Sequence, residues 1–319
     1  ARLNTPSRVG VGALARVAGL RGTLGAGSVG FQIGPRLNAA GRMEGPRTAL
    51  DLLRTDDPVK ADRLARELDG LNRRRREEEQ AAVAAARARV EAEGWWPERH
   101  ALVLEADDWH PGVVGLVASR LVEAFHRPTV ALVRQGERLK GSARSVPGVH
   151  LVEVLADCAE VLTRYGGHAA AAGLELPVAA LQAFRDRFDE AVSRRVCRDD
   201  LVPVLEADAE VGLADLGERA VAELGCLEPH GVGNPRPVFV VRHAEVVAAR
   251  PLGREGLHRA VVLAQAGTRR DAVAWRVPES WEFLRPGARI DAAFTAELNS
   301  WNGNTRVRLT IKDARPAEG

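Results

Sequence analysis

The stretch from Pro58 to about Gly94 carries one uninterrupted helical pattern, and no other feature constrains the fold of this chain as strongly. Leu64, Leu68 and Leu71 fall at helical spacing, Arg73 to Arg76 and Glu77 to Glu79 follow, and an alanine-rich tail completes it. A helix of about 36 residues would span roughly 54 Å, long for one compact domain and suited to a strut joining two. The arginines and glutamates at its centre read as a solvated face with pairs three and four residues apart. The alternative is that some of those arginines line a nucleic-acid channel.

The chain differs on either side of this helix. Residues 1–55 are rich in glycine and arginine, with helices expected at Val9 to Leu20 and Thr48 to Leu53 and a loop at Gly34-Pro35-Arg36 between them. From His100 strands and helices alternate, which predicts an α/β domain: strands at Ala101 to Glu105, Pro128 to Val133, Leu139 to Ser142 and Ala171 to Leu176, helices at Gly112 to Phe125, Val149 to Leu162 and Leu181 to Arg195. Beyond an acidic connector the pattern turns to strands, at Val238 to Val247, His258 to Leu263, Arg270 to Trp275, Arg289 to Leu298 and Arg306 to Lys312. Five or so short strands fit a small Greek-key β-barrel of the oligonucleotide-binding (OB) type.

Composition excludes several classes. A hydrophobic share of 45% beside 28% charged residues belongs to a globular chain and not a disordered one. No apolar run approaches the roughly 18 residues of a membrane helix and no signal-peptide pattern opens the sequence, so cytoplasmic residence and no membrane partner are the expectations. Cys158, Cys197 and Cys226 are widely spaced and odd in number, which argues for reduced thiols. The net charge of +2 is too small to announce a polyanion partner, but residues 1–55 carry eight arginines against Glu44 and Asp51, and residues 200–229 hold eight acids against Arg219 alone. Only Lys60, Lys140 and Lys312 are lysines, so an overall arginine bias inflates any count of phosphate ligands and position has to decide.

Four segments combine small residues with phosphate-binding chemistry. In Tyr165 to Gly173, YGGHAAAAG, the glycines Gly166 and Gly167 permit close backbone approach and His168 adds a donor; the competing reading is a tight turn into a closely packed element. Phe31 to Met43, FQIGPRLNAAGRM, sets Arg36, Asn38 and Arg42 around a proline turn and an Ala-Ala-Gly close-packing step, where arginine could hold a phosphate or merely pair with Asp51. Trp109, His110 and Gly112 precede a helix whose uncapped amides attract anions. Lys140 to Ser145, KGSARS, offers Ser142, Arg144 and Ser145 as a receptor for a terminal phosphate. In the barrel, Trp275 and Trp301 with Arg254, Arg259, Arg276, Arg306 and Arg308 mix aromatic platforms and cations, Trp301 being the more exposed candidate because it lies in a polar hairpin turn. His230 to Pro235, HGVGNP, reads as a rigid connector. His110, His150 and His168 lack metal-ligand spacing, and no serine, cysteine or threonine has the setting of an activated nucleophile.

Taken in order, FQIGPRLNAAGRM, DWHPGVVGLVASRL, KGSARS, YGGHAAAAG and LEPHGVGNPRPVF resemble the RecJ-type single-strand-specific exonucleases of the DHH phosphoesterase superfamily over nearly the whole chain. The family's Asp-His-His motif and its other metal-binding acidic segments have no match here, so the resemblance implies the later portion of such an enzyme. It implies the end of the catalytic domain at 1–55, a connecting helix at 56–98, a DHH-associated α/β domain at 99–199 and the OB barrel with its acidic connector at 200–319. The implied activity is 5′ to 3′ digestion of single-stranded DNA in repair and recombination, by water activated at two manganese or magnesium ions held outside this sequence. KGSARS and the GGH turn would recognise the 5′-phosphorylated end, and the Phe31 to Met43 segment would face the DNA path. Implied partners are single-strand-binding protein and recombination helicases, with the chain itself a monomer. The alternatives are a stand-alone single-strand-binding module without catalysis, or another DHH-type oligonucleotide phosphodiesterase.

Overall fold

A computed structural model describes residues 8–22, 24–253, 256–301 and 304–318, with the backbone alone for Glu279, Ser300 and Trp301. The chain divides into two compact units, Ala1–Pro203 and Val204–Gly319.

The first unit opens with α1 (Val9–Val17), α2 (Ala26–Ser28), a π-helical turn at Val29–Ile33, α3 (Gly34–Met43) and α4 (Arg47–Arg54). The loop expected at Gly34-Pro35-Arg36 is instead the first turn of α3. The π turn explains this, because the Gly34 amide reaches back five residues to the Val29 carbonyl and proline, which has no amide to donate, follows in a first-turn position where none is required. The long helix α5 spans Pro58–Ala92. Asp57 caps it by accepting from the amides of Val59 (2.9 Å) and Lys60 (3.3 Å), and Pro58 supplies a preset first residue.

This helix is a shared wall and not a free strut. Its first half buries Ala61, Leu64, Ala65, Leu68 and Leu71 against Leu14, Ile33, Ala39, Ala40 and Leu52 of the preceding helices. Its second half buries Ala82, Ala86 and Val90 against the α/β layer. The charged centre between them is only partly solvated. Arg73 and Arg74 are exposed, but half-buried Arg75 and buried Glu79 are ion-paired at 2.8 Å, and Glu79 also accepts from Arg120 at 3.1 Å.

The α/β layer holds β1 (Leu102–Ala106), α6 (Val114–Phe125), β2 (Thr129–Gln135), β3 (Arg138–Arg144), α7 (Leu151–Asp157), β4 (Arg164–Gly167), β5 (Ala171–Pro177) and α8 (Leu181–Ser193). Its sheet runs β1-β2-β3-β5-β4, parallel only between β1 and β2. Strand alternation sorts the faces. Leu102, Leu104, Ala131 and Val133 meet α5 and α6, whereas Val103, Leu132, Leu139, Leu174 and Leu176 meet α7 and α8 around Phe184 and Phe188. The sequence reading missed β4: Gly166 and Gly167 lie in this exposed edge strand, and the turn begins only at His168, whose amide bonds the Ala171 carbonyl at 2.8 Å.

In the second unit β6 (Ala209–Glu210) and α9 (Glu218–Leu224) precede β7 (Phe239–Leu252), β8 (His258–Gln265), β9 (Thr268–Ala274), β10 (Arg289–Trp301) and β11 (Asn304–Pro316). The order β7-β8-β9-β11-β10 closes on itself through β10–β7, giving a five-stranded barrel with β9 and β11 parallel. Its strands are longer than expected, because register shifts at Val246/Ala248, Ile290/Ala292 and Ala293/Phe294 let them coil around the core of Val241, Leu263, Ile290, Phe294 and Leu309. Asp291 stands at the closure, accepting from Arg242 (2.7 Å), the His243 amide (3.1 Å) and Arg315 (3.3 Å). Burial alone would raise its pKa, but these bonds outweigh burial and hold the carboxyl below its ordinary value.

Two outcomes test these assignments. Leu68→Ala, which empties a fully buried position, should lower stability by about 3 kcal/mol in urea denaturation, whereas Arg73→Ala should change it by less than about 0.5 kcal/mol. Burial also pushes the Cys158 thiol up to about 11, so the native protein at mildly alkaline pH should take up alkylating reagent at Cys197 and Cys226 and not at Cys158.

Candidate nucleic-acid interface

Where α3 ends, its backbone meets the loop that enters α6 at unusually short range. A β-carbon on Gly112 would lie 1.9 Å from the Arg42 carbonyl oxygen and 2.7 Å from its carbon, so only glycine fits. The Arg42 guanidinium completes the contact by donating to the Gly112 carbonyl at 3.2 Å. His110 holds the loop from the other side, its Nδ1 accepting the Gly112 amide at 3.0 Å, which leaves Nε2 as the donor of the neutral ring. Trp109 has a different setting from the one expected: it is buried in the core under α6, where its ring faces are covered by protein.

Helix α6 begins at Val114 with no side-chain cap from Val113; the Leu116 amide bonds the Val113 carbonyl at 2.8 Å, which leaves the Val114 and Gly115 amides available. Over this turn lies Arg144. A β-carbon on Gly115 would come 2.9 Å from Arg144 Nη2 and 3.2 Å from Ser142 Oγ, so the turn, the guanidinium and the hydroxyl share one small space. Arg144 Nη1 donates to Ser142 Oγ and to the Ala143 carbonyl, both at 2.7 Å. Burial, and then the charge of Arg42, pull the Arg144 pKa below its ordinary value. Two like charges thus stand at a helix N-terminus, and among the described residues neither has a carboxylate partner. Arg42 is exposed and Arg144 half-buried, so this is a solvent-facing electropositive point at a helix start, a setting that favours an anion.

Other residues proposed from the sequence lie in distinct settings. Asn38 is exposed four residues before Arg42 and shares its face of α3. Arg36 does not stand open: it pairs with Asp69 at 2.9 Å and donates to the Gln32 carbonyl at 2.8 Å, so it joins α3 to α5. Ala39 and Ala40 are fully buried as a close-packing step requires, but Gly41 faces open space. The Ser145 hydroxyl donates to the Val149 carbonyl at 2.7 Å and its amide to Ala170 at 3.1 Å, so Ser145 ties β3 to the β4–β5 turn. His168 is exposed at that turn. Gly167 has φ 154° and a β-carbon there would strike the Ala171 carbonyl at 2.4 Å, whereas one on Gly166 would meet nothing within 4 Å.

On the barrel, Trp275 is half exposed and stands edge-on to His258 at 4.9 Å. Arg276 follows it at φ 51°, with its amide bonded to His258 Nδ1 at 2.9 Å. Arg308 is paired with Glu297 at 2.6 Å. The side chain of Trp301 and all of Arg254 lie outside the described residues; the Trp301 backbone pairs with Asn304 at the tip of the β10–β11 hairpin.

Comparison with known proteins gives these features a lineage. Residues 98–194 match the DHHA1 domain family and residues 207–313 the RecJ OB domain family. The chain is 35% identical to the single-stranded-DNA-specific exonuclease RecJ of Bacillus subtilis over 99% of its own length and 40% of that protein's. The chain belongs to the RecJ family and matches its C-terminal portion. Crystal structures of Thermus thermophilus RecJ with Mn2+ and with Mg2+ superpose over the whole chain with TM-scores of 0.84 and 0.85 at 34% identity, and the chain covers 45% and 48% of theirs. It therefore spans about half the length of the RecJ proteins it matches. Among the described residues no group of three or more histidine, cysteine, aspartate or glutamate side chains is placed to hold a metal ion, so they do not fit the divalent ions of those relatives. No helix is long and apolar enough to cross a membrane.

Sequence reasoning passed over Asp69 and Gly115 and placed Glu79 on a solvated face, whereas it is buried. The spacing of Gly112 and Gly115 on either side of two valines was the signal available for a turn pressed against other groups. Gly112→Ala should separate α3 from α6, lowering stability by about 2 kcal/mol and weakening binding of inorganic phosphate, read by calorimetry and by phosphate titration.

Proposed function

We propose that this chain is the strand-gripping portion of a RecJ-type 5′ to 3′ exonuclease acting on single-stranded DNA in repair and recombination. The observation that carries this reading is the pair Arg42 and Arg144, with Ser142, over the uncapped start of α6 and without a carboxylate partner among the described residues. A terminal phosphate dianion offers three oxygens to one guanidinium fork, one hydroxyl and free amides. An internal phosphodiester carries a single charge and two free oxygens, so the same set favours a strand end. His110, Asn38 and the Gly166 to His168 segment flank this position and would follow the first nucleotides.

The barrel supplies a second, sequence-tolerant grip. Trp275 with Arg276 and Arg259 would stack and neutralise a single strand, with Arg306 and Trp301 as further contacts. Hydrolysis in the whole enzyme is assigned to two manganese or magnesium ions held by residues other than those described, which supply the activated water. The part played by this chain is to bind and orient the strand, as a monomer, and single-strand-binding protein and recombination helicases are its expected neighbours.

Arg144→Ala should weaken binding of 5′-phosphorylated single strands about tenfold and of 5′-hydroxyl strands much less, measured by fluorescence anisotropy at fixed salt. Equal losses on both would sink the assignment. Manganese-dependent digestion by this chain alone, after rigorous purification, would show a catalytic site within it and overturn the division of labour.

A further inference from the structure

The face of the sheet that carries Arg144 continues beyond it. Along β3, Arg138, Lys140, Ser142 and Arg144 alternate onto this face. In register across β5 and β4, Ser142 lines up with Gly173 and Gly166, and Lys140 with Glu175 and Arg164. A cavity of about 440 Å3 opens here, lined by Lys140, Arg164, Tyr165, Gly166, Gly173 and Glu175 among others.

Charge in this cavity is unbalanced. Glu175 is already held by Arg138 at 2.7 Å, while Lys140 and Arg164 are exposed and their side chains make no hydrogen bond or ion pair among the described residues. The floor is bare for no structural reason. Glycine weakens a strand, yet a β-carbon on Gly173 would meet only the Gly141 carbonyl at 3.9 Å, one on Gly166 would meet nothing within 4 Å, and neither residue has the backbone angles that favour glycine.

We infer that this cavity is a second phosphate subsite for the same strand, with Lys140 and Arg164 clamping a later backbone phosphate while the glycine floor lets the intervening sugar and base lie flat. The inference rests on the function proposed above, in which Arg144 and Ser142 take the terminal phosphate. The four residues from Arg144 to Lys140 span about 13 Å of strand, too far for one phosphate to reach both. The pair of subsites would therefore make the chain sensitive to strand length as well as to its end.

The test uses the intact chain and two probes, thymidine 5′-monophosphate and a 5′-phosphorylated thymidine trinucleotide, with excess 5′-hydroxyl trinucleotide to occupy the barrel. Lys140→Ala combined with Arg164→Ala should weaken the trinucleotide about tenfold, lower its salt slope by about 0.7 and leave the mononucleotide unchanged. Gly173→Val should weaken the trinucleotide too, while leaving Tm unchanged or raising it by about 2 °C. Wild-type trinucleotide affinity in the double variant overturns the subsite. If Arg144→Ala meanwhile loses its preference for phosphorylated ends, the proposed function stands without it. Should Arg144→Ala keep that preference, the terminal-phosphate reading falls and takes this inference with it.

Discussion

The approach of Gly112 to the carbonyl of Arg42 is the constraint on which the rest of the first unit turns. Backbone packed directly on backbone fixes the end of α3 against the start of α6 with no side chain to soften the register. Two consequences follow from that one contact. Arg42 is delivered to the loop before α6, and α6 is set so that Gly115 leaves space for Arg144. Arg42 then stands close enough for its charge to help lower the pKa of Arg144.

That frame is reinforced by a partly buried network around α5, in which Glu79 and Asn72 are buried and Arg120 reaches Glu79 from the surface. Glu79 is ion-paired with Arg75 on its own helix and with Arg120 on α6, and Asn72 accepts from Arg75. A buried ion pair contributes little net stability over an apolar pair of similar shape, because desolvation offsets attraction. Its value here is positional, since guanidinium and carboxylate meet only in a narrow range of geometries and so fix α5 relative to α6. The same network separates the arginines by role. Arg36, Arg75 and Arg120 have carboxylates within reach, whereas Arg42 and Arg144, which stand over the helix start, have none among the described residues.

Much of this was legible in the residues. Periodic apolar positions specified α5, α6 and α8, and alternating ones specified β1 to β3 and the five barrel strands. β4 was not legible, because Arg164 to Gly167 is wholly exposed and its two glycines argue against a strand. The helical course through Gly34 and Pro35 depends on a π turn that leaves no compositional trace. Which arginines are free is a tertiary property. Arg36 and Asp69 are 33 residues apart and Arg120 and Glu79 are 41 apart, so no local rule joins them. In the sequence Trp109 reads as part of an anion-binding loop with His110, yet its ring fills the space under α6.

Glycines divide along the same line between what folding requires and what it does not. Gly112 and Gly141 each sit where a β-carbon would collide with backbone, so any chain with this fold would need them or a shifted backbone, whereas at Gly115 it would meet the Arg144 guanidinium, which could move aside. Gly41, Gly166 and Gly173 have room for a side chain and ordinary angles, so folding alone would favour alanine in α3 and β-branched residues in β4 and β5. A residue that weakens its own element without easing any contact leaves room for something to come close to the backbone there. Gly41 adjoins Arg42, Gly173 lies opposite Ser142, and Gly166 lies opposite Gly173 one strand further out. Gly27, Gly30 and Gly70 have the same room and ordinary angles in other helical segments, so spare glycines do not by themselves mark a surface; beside the arginine pair they add backbone access to a place that electrostatics picks out on its own.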